Sequence, residues 1–268
     1  MKAAIMQPTY LPWLGYFDLI DSVDAFVFLD HVQFVKQSWH QRNRIRGPEG
    51  PLWLSIPVQT SGRLGQKLAD TRVLQNGWQR KHLASISYCY RRAPYTKVIE
   101  HLISEALLAE KESLVAINET IIREISSYLG MRTPFLRSSS FPLKGKKQEM
   151  LASLCMEIGA TTYISPLGSA GYLGTGAYLN DLGIDVAYQH YEHPTYSQLG
   201  EGFFSYLSIV DLLCMASPSS ALESIRSGHR NTYTPSEAIL KFGQAGTHAD
   251  ETEIDVLMPL DSTRLELV

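Results

Sequence analysis

The sequence lacks an excess of either charge: 24 Lys and Arg stand against 27 Asp and Glu in 268 residues, a net charge of −3. That balance offers no basic footprint for a long nucleic-acid backbone, so genomic DNA is not an expected partner; a local cationic patch can still hold one phosphate group. Cysteine is scarcer. Cys89, Cys155 and Cys214 are odd in number, far apart and each in an apolar helical context. This argues against a disulfide framework or a zinc site and fits buried free thiols in a reducing compartment. No apolar run reaches the length that spans a bilayer, and the N-terminus lacks the phases of a signal peptide, so a cytoplasmic protein is expected. The chain also lacks a Gly-x-Ser-x-Gly elbow, a P-loop, an Asp-x-Asp pair, internal repeats and low-complexity tracts.

What is present is 44% hydrophobic and 10% aromatic, enough for a sizeable core. The first thirty residues read as a βαβ unit: AAIM as a strand, LGYFDLIDSVD as a helix with apolar spacing, and AFVFLD as a second strand. RNRIRGPEGPLWLSIPV reads as a hairpin whose second strand is apolar enough to be internal. Three amphipathic helices follow between about residues 76 and 130, and strand and helix then alternate again through TPFLRSSS, TTYISP and IDVAYQHY. FFSYLSIVDLLCMAS reads as a buried helix, and the text after Ser217 as polar and aperiodic. The expected fold is α/β, a mainly parallel Rossmann-like (nucleotidyltransferase-like) sheet with a helical insertion. One domain is expected over residues 1–228, with residues 229–268 as a loosely structured or docked C-terminal extension.

Three stretches carry candidate chemistry. PTYLPWLGYFDLI resembles the strand, loop and helix of nucleotidyltransferases and pantothenate synthetases around Gly15, with Trp13 and Tyr16 where two histidines would fall. Either the loop still holds phosphate through backbone N–H groups, or it is a strand-to-helix turn packed by aromatics. DHVQFVKQSWHQRNRIRG follows the second strand, where ligand crevices of parallel sheets open. Arg42, Arg44 and Arg46 fall on one face of a strand, either to grip a diphosphate or carboxylate or to keep a solvated edge from aggregating. The third stretch is YISPLGSAGYLGTG followed by YQHYEHPTYSQLGEG. There Ser165 ends a strand, Tyr172 opens a helix, and Tyr191, His193 and Tyr196 crowd around Pro194. His190 and His193 do not share a helix face, so no metal site is expected; His193 is a candidate general base, or part of a lid.

The long motifs IMQPTYLPWLGYFDLIDSVDAFVFLDHVQFVKQSWHQRNRI, GATTYISPLGSAGYL, YQHYEHPTYSQ and YLSIVDLL make the sequence similar to the WbqC-like family of bacterial proteins, over roughly residues 1–228. Such proteins are commonly encoded among genes for O-antigen and other surface polysaccharides. The resemblance implies a cytoplasmic transfer of an acyl or aminoacyl group to the amine of a nucleotide-activated amino sugar. The donor would be activated with ATP, or supplied on a carrier protein or an aminoacyl-tRNA; a homodimer is a further expectation. In this scheme Gln7, Gly15 and Tyr16 line the nucleotide or phosphate pocket, and Arg42 and Arg44 neutralise diphosphate. Asp30, Gln33 and Asn43 fix the sugar or amine, Asp30 taking a catalytic part, while Ser165, Tyr172, Tyr191 and Tyr196 complete the substrate wall and His193 accepts the proton. The competing reading is a non-catalytic module that binds a sugar nucleotide or nucleotide and has lost the catalytic histidines.

Overall fold

Short apolar runs alternate with amphipathic ones, and the computed structural model, which describes residues 1–109, 112–173 and 175–242, follows that alternation. The opening unit is β1 (Lys2–Met6), α1 (Leu14–Asp21) and β2 (Ala25–Phe28). An insertion follows: the hairpin of β3 (Arg42–Gly47) and β4 (Gly50–Ser55), then α2 (Trp78–Cys89), α3 (Thr96–Ala109) and α4 (Leu114–Tyr128). The chain continues through β5 (Phe135–Arg137), α5 (Gln148–Glu157), β6 (Thr162–Ser165), the short α6 (Ala170–Leu173) and α7 (Ala177–Asn180), and β7 (Asp185–Tyr188). It closes with α8 (Val210–Met215), α9 (Pro218–Ser227) and α10 (Pro235–Phe242).

Five strands form one sheet in the order β5-β2-β1-β6-β7, and every neighbouring pair is parallel. Taken in chain order this is third, second, first, fourth, fifth, the strand order of a Rossmann fold. The order reverses between β1 and β6, so the crevice outside their carboxyl ends is where such a sheet receives a ligand. Alternate side chains of each strand go to opposite faces. Ala4, Met6, Phe26 and Phe28 meet α1, α4 and α8 on one face, whereas Ala3, Ile5, Val27 and Tyr163 meet α5 and α7 on the other. Both faces are covered, which is why these strands read as unbroken apolar runs.

The hairpin differs from the sequence expectation in its second strand. β4 pairs only with β3, and Leu52 and Trp53 are 38% and 43% exposed. Leu54 alone in the strand is buried; Trp53 on one side and Leu52 on the side of Leu54 both reach solvent. The expected helix over FFSYLSIVDLLCMAS starts only at Val210, because Tyr206 adopts a left-handed φ of +57° that ends helical geometry. After Ser217 the chain is helical: Ser217 caps α9 by accepting from the Ser220 N–H, and Pro218 occupies its first turn. Beyond Gly228, Tyr233 and Tyr188 exchange main-chain hydrogen bonds of 2.9 Å, and α10 buries Ala238; the rest of the expected extension lies outside the described residues.

Candidate functional site

The loop after β1 is the floor of the expected crevice, and it is closed. Residues 7–12 are buried beneath the insertion. The Asn43 amide donates to the carbonyls of Tyr10 (3.2 Å) and Leu11 (2.8 Å), holding Leu11 at a φ of +45°. The Asn118 amide donates to Pro8 (3.0 Å) and His40 (2.8 Å). His40 donates through Nε2 to Oε1 of Gln7 at 2.5 Å, and burial pushes its pKa down to about 4. Tyr16 is buried against Phe17 and Phe26, and its hydroxyl donates to the Gln7 carbonyl at 3.0 Å. Asn43, Tyr16 and the oxygens of Gln7, expected to touch substrate, hold the buried loop together through these hydrogen bonds.

Gly15 follows the same logic. A Cβ there would lie 2.3–2.7 Å from the indole of Trp13, so the glycine makes room for that ring. Trp13 in turn anchors an aromatic cluster. Its ring lies 5.5 Å from Tyr191, 5.4 Å from Tyr206, and 6.2 Å from a parallel His193. His193 is 4.9 Å from Tyr206 and 6.1 Å from Tyr196. Its Nδ1–H donates to the Pro194 carbonyl at 2.9 Å, and burial lowers its pKa to about 4, so it is neutral at pH 7. Trp13 Nε1, Tyr191 Oη and His193 Nε2 are buried there without hydrogen-bond partners among the described residues. Three such atoms in one cluster mark a place where a polar group fits.

The cationic row lies next to this cluster. Arg46 is committed: its guanidinium lies 4.4 Å from the Phe204 ring and donates to the carbonyls of Glu201 and Gly202. Its backbone N–H donates at 2.8 Å to the Tyr90 hydroxyl, which donates in turn to buried Asp211. Burial raises the Asp211 pKa, against the hydrogen bond from Tyr90 and the charge of Arg46. Arg42 and Arg44 are not committed, since neither forms an ion pair among the described residues. Arg42 lies 4.4 Å over Trp53, and Arg44 lies 5.6 Å from Trp53 and 6.0 Å from Trp39. The Ser208 N–H donates to the Arg44 carbonyl at 2.8 Å, joining the hairpin to the segment that carries Tyr206.

Other expected residues are dispersed. Asp30 is buried and saturated: it accepts from the Ser138 hydroxyl (2.9 Å), the Ser139 N–H (2.9 Å) and the Ser139 hydroxyl (2.6 Å), latching β2 to the end of β5. Ser165 ends β6 at the sheet's reversal, but is enclosed with Tyr163 and Ser169. Gln33 is exposed in a loop bridged to Lys67. The Tyr172 side chain lies outside the described residues. Among the described residues no three His, Cys, Asp or Glu side chains gather to hold a metal, and no helix is long and apolar enough to cross a membrane.

One pair escaped the sequence reading. Asp18 on α1 is 2% exposed; its Oδ1 lies 2.9 Å from Nδ1 of His229, and its Oδ2 accepts from the Gln189 amide at 2.7 Å. Burial raises the Asp18 pKa, against the hydrogen bond from Gln189 and the charge and hydrogen bond of His229. The contact turns Nδ1 of the imidazole toward the carboxylate and leaves Nε2 outside it, on a side chain 44% exposed. Main-chain bridging of Tyr191 to His229 places the pair beside the aromatic cluster. Its only local signal was a polar residue on the apolar face of α1.

A family model described as the WbqC-like protein family matches residues 7–223, which include Asp18, the hairpin and the aromatic cluster but not His229. The chain is 36% identical to the uncharacterized protein Rv1507c of Mycobacterium tuberculosis (strain ATCC 25618 / H37Rv) over 214 residues, covering 79% of this chain and 92% of that protein. No solved structure gives a significant match.

Proposed function

The chain belongs to the WbqC-like protein family, and from that premise we propose that it transfers an acyl or aminoacyl group to the amine of a nucleotide-activated amino sugar, in the cytoplasm, for surface-polysaccharide assembly. The observation that carries this reading is the pair Arg42 and Arg44, cations without ion-pair partners among the described residues and lying on the faces of Trp39 and Trp53. A nucleoside diphosphate asks for both: guanidinium forks for its phosphates and a π face for its base. The aromatic cluster then takes the sugar. Trp13 Nε1 offers a donor, His193 Nε2 an acceptor and Tyr191 either, three groups that a sugar's hydroxyls and amine satisfy.

In the transfer step the sugar amine attacks the acyl carbonyl; a C–N bond forms, the bond to the activating group breaks, and the nitrogen gives up one proton. We assign that proton to Nε2 of His229, with Asp18 holding the tautomer and stabilising the imidazolium. The assignment differs from the sequence expectation, which gave the proton to His193. Burial lowers the His193 pKa to about 4, which leaves its Nε2 able to accept a hydrogen bond but disfavours the imidazolium, whereas His229 is paired with the Asp18 carboxylate and reaches solvent. Asp30, with both oxygens engaged, takes no chemical step. The donor is an acid activated with ATP, or an acyl or aminoacyl carrier.

The second reading, a sugar-nucleotide-binding module without catalysis, is favoured by the closed loop at residues 7–12. Incubation with ATP, amino acids and a UDP- or dTDP-amino sugar, followed by mass measurement, separates the two. A transferase adds the mass of the acyl group to the sugar nucleotide. His229→Ala then lowers turnover by about a hundredfold or more, and Arg44→Ala weakens sugar-nucleotide binding by about tenfold. Tight binding with no mass change under any donor establishes the binding module. Turnover unaffected by both substitutions rejects the site.

A further inference from the structure

A second polar cleft lies along β5, the edge strand of the sheet, on residues that the proposed transfer does not use. Its volume is about 350 Å³. Glu119, Thr120 and Arg123 of α4 face it together with Arg137 at the end of β5, and Phe135 and Phe141 give it an apolar side. Glu119 is 2% exposed, and both its oxygens lie against Nε of Arg137, at 2.9 and 2.7 Å. The terminal amino groups of Arg137 take no part in that bond, and the side chain is 45% exposed. Arg123 lies over the rings of Phe28 (5.4 Å) and Phe135 (4.9 Å), with one long hydrogen bond of 3.5 Å to the Phe135 carbonyl. It forms no ion pair among the described residues.

The charges do not cancel: one guanidinium neutralises Glu119 and the second is left over against an apolar wall. Desolvation by this wall and the like charge of Arg137 lower the Arg123 pKa, against the attraction of Glu119, whose oxygens are held by Arg137. An anion entering the cleft would meet the fork of Arg123 and the free end of Arg137 together. Guanidinium groups bind carboxylates and phosphates through paired N–H donors in this way.

We propose that this cleft is an oxyanion site, binding the carboxylate or phosphate of a small molecule whose apolar part lies on Phe135 and Phe141, with Arg123 and Arg137 as ligands. The site holds whether or not the transferase reading does, because it shares no residue with the hairpin or the Asp18–His229 pair.

The test is titration of the full chain with inorganic phosphate, acetate and hexanoate, followed by calorimetry and by amide chemical shifts. At least one oxyanion binds with a millimolar Kd, its shifts centre on Thr120 and Phe141, and Arg123→Gln weakens it by about tenfold. Arg44→Ala leaves this binding unchanged. Phosphate alone binding identifies the group as a phosphate; hexanoate binding more tightly than acetate identifies an acid with an apolar tail. The proposal is overturned if none of the three binds up to about 50 mM, if the shifts lie elsewhere, or if a folded Arg123→Gln protein binds as well as wild type. The shift map decides the matter alone if that variant fails to fold.

Discussion

Gly15 and Trp13 show how a residue can be fixed by its neighbour. With the indole 2.3–2.7 Å from the position of a Cβ, Gly15→Ala must push the ring out of its cluster. A loss of about 1–3 kcal/mol in urea unfolding is expected. Adding Trp13→Leu should recover part of it; additive losses would show that the ring is not the obstacle. His193 makes a second prediction: its imidazole should titrate near pH 4 by NMR, and a midpoint near its ordinary 6.5 would contradict the enclosed placement. Arg42 and Arg44 were legible in the sequence, since alternate spacing in a strand puts them on one side. Gln7, Tyr16 and Asn43 were not, because their polarity serves a buried loop whose other supports, such as Asn118, lie far along the chain. Asp18 and His229 were harder still: 211 positions separate them, and no local pattern announces their pairing.

At the scale of elements, the hairpin and the loop after β1 depend on each other. Asn43→Ala removes two hydrogen bonds to the loop and releases Leu11 from its left-handed φ. A loss of about 2–3 kcal/mol is expected, together with weaker sugar-nucleotide binding, because the strand bearing Arg42 and Arg44 loses its anchor. Asp30→Ala should act in the same way on the β2–β5 junction, lowering stability by about 2 kcal/mol or more. An Asp30→Ala protein of wild-type stability with abolished turnover would instead restore the catalytic part that the sequence suggested. The βαβ opening, the three inserted helices and the later strands were legible from the period of their apolar residues. The exposed face of β4 was not, because an apolar strand in a two-stranded ribbon looks like a central one. The cap of α9 could have been read from Ser217-Pro218, a Ser followed by Pro at the first helical position.

Over the whole molecule, the parallel sheet supports the polar groups, and burial sets their protonation. His40 and His82 fall from an ordinary 6.5 to about 4. Between these values the unfolded chain binds more protons than the native one, so each histidine lowers stability as pH falls, by up to about 1.4 kcal/mol per pH unit. Asp18, Glu119 and Asp211, raised by burial, act in the opposite sense: their contribution to stability falls as pH rises through their folded-state values. His82→Gln should therefore flatten the stability profile between pH 4 and 6.5 by about one proton; an unchanged slope in urea titrations would contradict the neutral assignment. The sheet's strand order, with its reversal between β1 and β6, locates the crevice, but the insertion closes its floor and shifts the candidate site to the hairpin and the aromatic cluster. The most direct measurement of that claim is calorimetric titration of a UDP- or dTDP-amino sugar into the wild-type chain and into the Arg42→Ala/Arg44→Ala double variant. Wild type should bind, with an affinity at least about tenfold weaker in a folded double variant; equal affinity in the two proteins would place the diphosphate away from the hairpin.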